Sequence, residues 1–309
     1  MENQTSITEF HILSFFASSK YKPILFCVFL LLFLMGILMN TTIITVISQN
    51  KHLHTPMYFF LCNLAFLDIF FTTTTVPLLL YMLSSGNNTI SLTKCFTQMY
   101  FFFIASSTEV FLLVTMAYDR YVAICKPLHY HRILSRKTCT VLNLGTWVIG
   151  ALNSVILTIP ATKLSFCHSN IIKHYFCDAK ALTRIACAGT DVFYTSVYAD
   201  FFLMAFCPFL CYLASYGKVI RVILSIKSKD GRQKAFSTCS SHIIVILLYF
   251  SLSGGNYLMS SSEYFAFQEQ VVTALYANVT PLVNPVIYSL RSKELKQALQ
   301  ELLRKLINV

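Results

Sequence analysis

The sequence predicts an all-α membrane protein, a seven-transmembrane helix bundle followed by a short amphipathic C-terminal helix. Three observations carry that prediction. Of 309 residues, 56% are hydrophobic and only 12% charged, with a mean hydropathy of +0.62, whereas soluble domains carry about 25% charged residues. Seven apolar runs are long enough to cross a hydrocarbon core about 30 Å thick; they lie at roughly 23–48, 57–83, 96–121, 139–161, 192–220, 236–260 and 269–290. Finally, 17 of the 24 basic residues fall on one side of those spans, the side holding the C-terminus. By the excess of Lys and Arg on cytoplasmic faces, the N-terminus is expected outside and the C-terminus inside. The formal charge of +11 would suggest a nucleic-acid partner in a soluble protein, but here its distribution sets topology, and no nucleic acid is expected.

The chain divides into a polar tail (1–22), the helix bundle (23–291) and a cytoplasmic helix with its tail (292–309). The tail lacks the charged start and short apolar core of a signal peptide, so the first helix is expected to serve as an uncleaved insertion signal. Asn3 opens an Asn-Gln-Thr sequon and Asn87 an Asn-Asn-Thr sequon; with the N-terminus outside, both are candidate glycosylation sites, Asn87 close to the membrane.

The fourth run reads as the least apolar. The seventh is broken by Asn278, Thr280, Pro281, Asn284 and Pro285, residues a purely lipid-facing helix would not need, so it faces a packed or wet interior. Asp68 and Glu109 are acids in the middle of the second and third spans. Charged groups are costly in hydrocarbon and persist where they pair or meet water. These two are either protonated and hydrogen-bonded or hold a cation.

The third span ends in Asp119-Arg120-Tyr121. Neighbours on a helix point about 100° apart, so Asp119 can hold part of the guanidinium while the rest faces the bundle. One reading is a topology-setting positive flank; the other is a switch in which Arg120 is clamped in one state and released in the other. Asn284-Pro285 with Tyr288 marks a kinked inner end of helix 7, either static or able to rearrange. Helix 6 has no proline, and Gly254-Gly255 is its weak point.

Eleven cysteines are present. Cys95, Cys167, Cys177 and Cys187 lie on the outer side, where disulfides form, and four cysteines allow three pairings. Leu295, Ala298, Leu299, Leu302 and Leu306 recur at three- and four-residue steps between Lys and Glu, which gives an amphipathic helix on the inner membrane face.

Met116-Ala117-Tyr118-Asp119-Arg120-Tyr121-Val122-Ala123-Ile124-Cys125-Lys126-Pro127-Leu128-His129-Tyr130 resembles the segment that olfactory receptors, a branch of the rhodopsin-like G-protein-coupled receptors, carry at the inner end of helix 3. Leu53-His54-Thr55-Pro56-Met57-Tyr58-Phe59 with Leu64 and Asp68 resembles the family's second-helix signature. Lys234-Ala235-Phe236-Ser237-Thr238-Cys239-Ser240-Ser241-His242 resembles the start of its sixth helix, and Pro281 to Arg291 its seventh. Ser215-Tyr216 in helix 5 also matches, and the resemblance covers essentially the whole chain. Departures are Met39-Asn40 where Gly-Asn is usual, and Ser292 where Asn is usual.

The resemblance implies Cys95–Cys177 and Cys167–Cys187 disulfides. It implies a sodium pocket around Asp68 and Glu109, near Asn40 and Asn284, that collapses on activation. It implies a switch formed by Asp119, Arg120, Tyr121, Tyr216, Asn284, Pro285 and Tyr288. It also implies a small volatile or semi-volatile ligand, a stimulatory, olfactory-type G protein that raises cyclic AMP, and a plasma-membrane location in the cilia of olfactory neurons.

The ligand is expected in the outer half of the bundle. Helix stripes there present Phe102, Phe103, Ser106 and Ser107 from helix 3, and Val197, Asp200, Phe201 and Met204 from helix 5. Phe250, Ser253, Gly254 and Tyr257 follow from helix 6, with Ala274 and Ala277 from helix 7. Each stripe reads equally as interhelical packing. Asp200 is either satisfied by neighbours such as Tyr198 or Ser196 or offered to a ligand amine or hydroxyl.

Other classes fit less well. A retinal receptor needs a lysine in helix 7, and residues 269–290 have none; a monoamine receptor would carry Asp where Phe102 stands. No internal repeat or charge ring suggests a transporter or channel, and no protease or hydrolase motif suggests an enzyme. The alternative that remains is a non-olfactory rhodopsin-like receptor for an endogenous metabolite.

Overall fold

The computed structural model describes residues 7–18, 20–167, 169–258 and 266–307, without the side chains of some helical residues, among them Ser253, Gly254 and Tyr257. Seven long helices build the bundle: α1 (Lys22–Gln49), α2 (Pro56–Ser85), α3 (Leu92–Cys125), α4 (Arg136–Thr162), α5 (Thr190–Ser225), α6 (Lys229–Leu258) and α7 (Ala266–Arg291). An eighth, α8 (Lys293–Ile307), follows. Six of the seven are long and apolar enough to cross a membrane, and the described part of α6 adds the shorter apolar stretch His242–Leu252. The seven-helix expectation therefore holds, with one correction. The fourth span is not the least apolar, because α7, with its asparagines and prolines, is less so.

Local chemistry sets the helix ends. Pro56 starts α2, where its missing N–H is not needed. Gly86 ends it in the left-handed region (φ 70°), donating its N–H to Met82 O. Ser91 and Ser135 cap α3 and α4 by accepting from the Lys94 and Thr138 amides. A side chain at Gly150 would meet Ile104 O at 2.9 Å, so glycine is what lets α4 lie close against α3. In α5 the segment Phe201–Phe206 is π-helical, the Cys207 N–H reaching back to Phe202 O. Pro208 follows, and having no N–H it cannot continue the regular ladder there.

Pro285 likewise leaves Pro281 O without its helical donor. Asn40 of α1 supplies one, donating Nδ2 to that oxygen at 2.8 Å while also bonding Gly36 O at 3.0 Å. The break in α7 is thus sealed by α1. At the inner end Ser292, the departure from the family pattern, bonds Tyr58 of α2 at 2.7 Å and accepts from the Leu295 amide at 3.1 Å, starting α8. Leu295 and Ala298 turn inward against the bundle.

The opposite end of the bundle has a cap. Strand β1 (Glu9–Ile12) pairs antiparallel with β2 (Thr89–Ser91) and, at its other edge, parallel with β4 (Ile171–Ile172). Strand β3 (Ser165–Phe166) pairs antiparallel with β5 (Ala186–Ala188). Two disulfides join Cys95 to Cys177 and Cys167 to Cys187, the pairings the resemblance implies. Phe10, Tyr175, Phe176 and Cys177 are fully buried beneath this cap.

Candidate functional site

A cavity of about 480 Å³ lies under the cap, between α3, α4, α5, α6 and α7. Of the residues the sequence put there, Phe102, Phe103, Ser106, Ser107, Val197, Asp200, Phe201 and Met204 line it. Phe250 does not. Its ring packs edge-on against Phe209 and Tyr212 at 5.3 and 5.4 Å. On α7 the lining residues are Thr273 and Tyr276, one position before the expected Ala274 and Ala277, which pack into the core. Ser253, Gly254 and Tyr257 fall outside the described side chains, although α6 is helical through them.

The second outer loop adds a wall that the helix stripes did not suggest. Asp178 caps the short helix Ala179–Ile185, accepting from the Lys180 and Ala181 amides at 2.9 and 3.1 Å. That fixes Asp178, Ala179, Lys180 and Thr183 along the cavity. Burial raises the Asp178 carboxyl above its ordinary value. Across the top, Arg184 donates to Glu269 of α7 at 2.5 Å, and the Lys180 ammonium lies 3.6 Å from the same carboxylate. Gln270 takes the Phe15 amide at 2.9 Å and gives a bond to Lys173 O at 3.2 Å. The start of α7 is therefore tied to both the tail and the loop.

Asp200 is buried in the cavity wall and is held by α4. Asn153 Nδ2 donates to Asp200 Oδ1 at 2.7 Å and lies 2.9 Å from Ser107 Oγ. Asn153 is thus a partner of Asp200 from another helix, while Ser196 spends its hydroxyl on Val192 O within its own helix. Asn153 carried no sequence signal, since an Asn inside an apolar run has no period to mark it. The remaining lining is mostly aromatic and aliphatic, so the cavity suits an apolar molecule with few polar groups.

Below the cavity, Tyr276 donates to Glu109 Oε2 at 2.8 Å and Asn284 Nδ2 lies 3.1 and 3.2 Å from the two Asp68 oxygens. Asp68 and Glu109 are within electrostatic range of one another. The amide oxygens of Asn40 and Asn284 are buried with no hydrogen-bond partner among the described residues. Two carboxylates with such oxygens fit a small hard cation. Among the described residues no cluster of three or more His, Cys, Asp or Glu forms a metal site, so the fit rests on the amides as much as on the acids.

At the inner end, Arg120 is clamped by Asp119, which accepts from its Nε at 2.8 Å and also from Nη2. Tyr130, eleven residues on, donates to the other Asp119 oxygen at 2.7 Å. Tyr121 faces Lys126 and Lys218 at 6.0 and 5.7 Å from its ring centre. Tyr216 is hydrogen-bonded to His242 Nδ1 of α6. Tyr288 is buried within electrostatic range of both Arg120 and Asp68. Of the expected switch residues, Asp119, Arg120, Tyr216, Tyr288 and Asn284 thus follow one another between α3, α5 and α7, while Tyr121 faces the two lysines instead. Tyr130 and His242 join them, and neither stood out in the sequence as a switch residue. Asn87 is exposed, and Asn3 lies outside the described residues.

The fold is that of the rhodopsin-like receptors: it superposes on the crystal structure of squid rhodopsin with a TM-score of 0.73 at 15% identity, covering 90% of this chain and 83% of that one. Sequence comparison narrows the class. The family model described as olfactory receptor matches residues 26–305. Human olfactory receptor 10V1 is 44% identical over 98% of both chains. Dog olfactory receptor-like protein OLF4 is 41% identical over 98% of both, and mouse olfactory receptor 1M1 is 41% identical over 99% of this chain and 98% of its own. The chain belongs to the olfactory receptor family, and it is a multi-pass membrane signalling receptor of the odorant type, not an enzyme.

Proposed function

We propose that this receptor binds a small, mainly apolar organic molecule in the cavity under its cap and couples to a stimulatory, olfactory-type G protein that raises cyclic AMP. The observation that carries the reading is the cavity itself, whose walls come from both sides of the bundle and from the loop. A ligand seated there bridges α3, α5, α6 and α7 and can favour one relative placement of them over another. Asp200, held by Asn153 beside Ser107, receives a ligand hydroxyl or amine at an otherwise apolar wall. Opening of the inner ends releases Arg120 from Asp119 to meet the G protein.

In this reading the N-terminus is extracellular, Asn3 and Asn87 are glycan acceptors, and the receptor works in the cilia of olfactory neurons. Sodium is bound in the resting state by Asp68 and Glu109, with Asn40 and Asn284 close by. Residues 23–291 form the receptor domain between an outer tail (1–22) and an inner helix with its tail (292–309). The test is a cyclic-AMP assay in cells expressing the chain, with chemically grouped odorants, amines included, and Arg120→Ala as the control. A ligand-dependent rise that the variant loses supports the reading. A rise that survives in the variant defeats the assigned switch.

A further inference from the structure

A second cavity, about 470 Å³, lies on the membrane-facing side of α2 and α3, toward the capped end. Its floor is Phe70, Leu78, Ile90 and Phe101, Phe70 and Phe101 meeting edge-on at 5.9 Å. Two of its four threonines are apolar in effect. Thr73 and Thr74 bond back to Ile69 O and Phe70 O at 2.6 and 2.9 Å, which turns their hydroxyls onto their own helix. Gln98, the amide in the wall, is spent at both ends: it gives a bond to Thr74 O at 3.0 Å and takes one from the Cys177 amide at 3.1 Å. One charge borders this apolar trough, the exposed Lys94 in the first turn of α3. It has no ion-pair partner among the described residues.

We propose that the groove is a second binding site, for a long-chain fatty acid drawn from the adjoining leaflet. Its chain lies along Phe70, Leu78 and Phe101, and its carboxylate meets Lys94. A single trough matches a single chain, and a cation at the interface selects an anionic head over a neutral one. The site shares a wall with the odorant cavity: Phe101 faces the groove and Phe102 the cavity. Gln98 also joins the groove to the loop at Cys177. A bound chain therefore stiffens the wall and loop that the odorant touches.

The test uses the full-length receptor in phosphatidylcholine nanodiscs with a diazirine-bearing palmitate and the matching diazirine-bearing hexadecanol. Palmitate is expected to label peptides containing 73–78 or 93–101, to be displaced by oleate, and to label Lys94→Glu several-fold less, while Lys94→Arg keeps its labelling. Hexadecanol should label the same peptides far less. Lys94 is exposed, so neither substitution disturbs packing, and Thr97→Trp provides a second, steric block. Equal labelling by the alcohol, labelling indifferent to Lys94→Glu and Thr97→Trp, or a diazirine-bearing phospholipid that oleate does not displace would each overturn the proposal. None of these outcomes depends on the odorant reading.

Discussion

Tyr276 of α7 donates its hydroxyl proton to Glu109 of α3 at 2.8 Å, and neither side chain is more than 7% exposed. The bond lies where the floor of the cavity under the cap meets the polar centre of the bundle, since Tyr276 lines the first and Glu109 belongs to the second. Interhelical hydrogen bonds in bilayers average only about 0.6 kcal/mol. Leaving a buried acceptor without its donor costs more, about 1–3 kcal/mol. Tyr276→Phe should therefore lower the melting temperature of the purified receptor clearly. Tyr276→Phe combined with Glu109→Leu should lower it less than Tyr276→Phe alone, because no buried acid is then stranded. Thermal unfolding of the three proteins in one detergent decides this.

A second prediction concerns the cation proposed beside Asp68. Sodium that binds only the folded resting state stabilises it by mass action, about 2.7 kcal/mol at one hundred times its dissociation constant. Replacing potassium by sodium at constant ionic strength should raise the melting temperature, and Asp68→Asn should abolish the difference. An equal response in the variant would leave the amides and acids as a purely structural network.

Tyr130 supplies a third. Its bond to Asp119 fixes the carboxylate that holds Arg120. A hydrogen bond to a charged group contributes about 1.5–3 kcal/mol, and about 1.4 kcal/mol is a tenfold change in an equilibrium. Tyr130→Phe should therefore raise basal cyclic AMP without odorant, at unchanged surface level. Basal signalling equal to the parent protein would mean that Tyr130 braces the inner loop and not the clamp.

The cap yields a pH prediction. His174 is buried beneath it beside Glu269, Arg184 and Lys180, and burial pushes its pKa down to about 4, the nearby Glu269 opposing that shift. In the folded protein it stays neutral down to that pH, whereas an unfolded histidine binds a proton below about 6.5. Stability is therefore flat above about pH 6.5 and falls as pH drops toward 4, by on the order of 3 kcal/mol over that window. Hydrogen exchange of residues 171–178 should accelerate over that range, and His174→Gln should flatten the response.

Much of this was legible in the sequence. The seven apolar runs fall within five residues of the helix ends except at the start of α6, which begins seven residues before its run. Hydrocarbon thickness sets the length of the apolar part whatever its neighbours do. The helix 3 stripe reaches the cavity because that helix keeps a regular period through it. The helix 5 residues reach it too, although Phe201 and Met204 sit in the π-helical segment. On helix 7 the predicted lining is one residue out of phase, Thr273 and Tyr276 for Ala274 and Ala277. What the sequence left unread is tertiary. Strands of two to four residues have no detectable period, so the cap was invisible. Asn153, Tyr130 and His242 act through partners 47, 11 and 26 residues away, and no local pattern announces such a partner.

The most direct measurement of the central claim is a pair of cyclic-AMP dose–response curves, taken with one agonist identified by screening. Met204→Trp fills the cavity proposed to hold the odorant, and Arg120→Ala removes the proposed switch. The indole takes volume from the ligand, so Met204→Trp should lose potency about tenfold or more, a change of about 1.4 kcal/mol, while keeping the basal signal. Arg120→Ala should lose the response at every dose with equal protein at the surface. A full response at parental potency from both variants would place ligand recognition and G-protein engagement elsewhere in the chain, and would contradict the account.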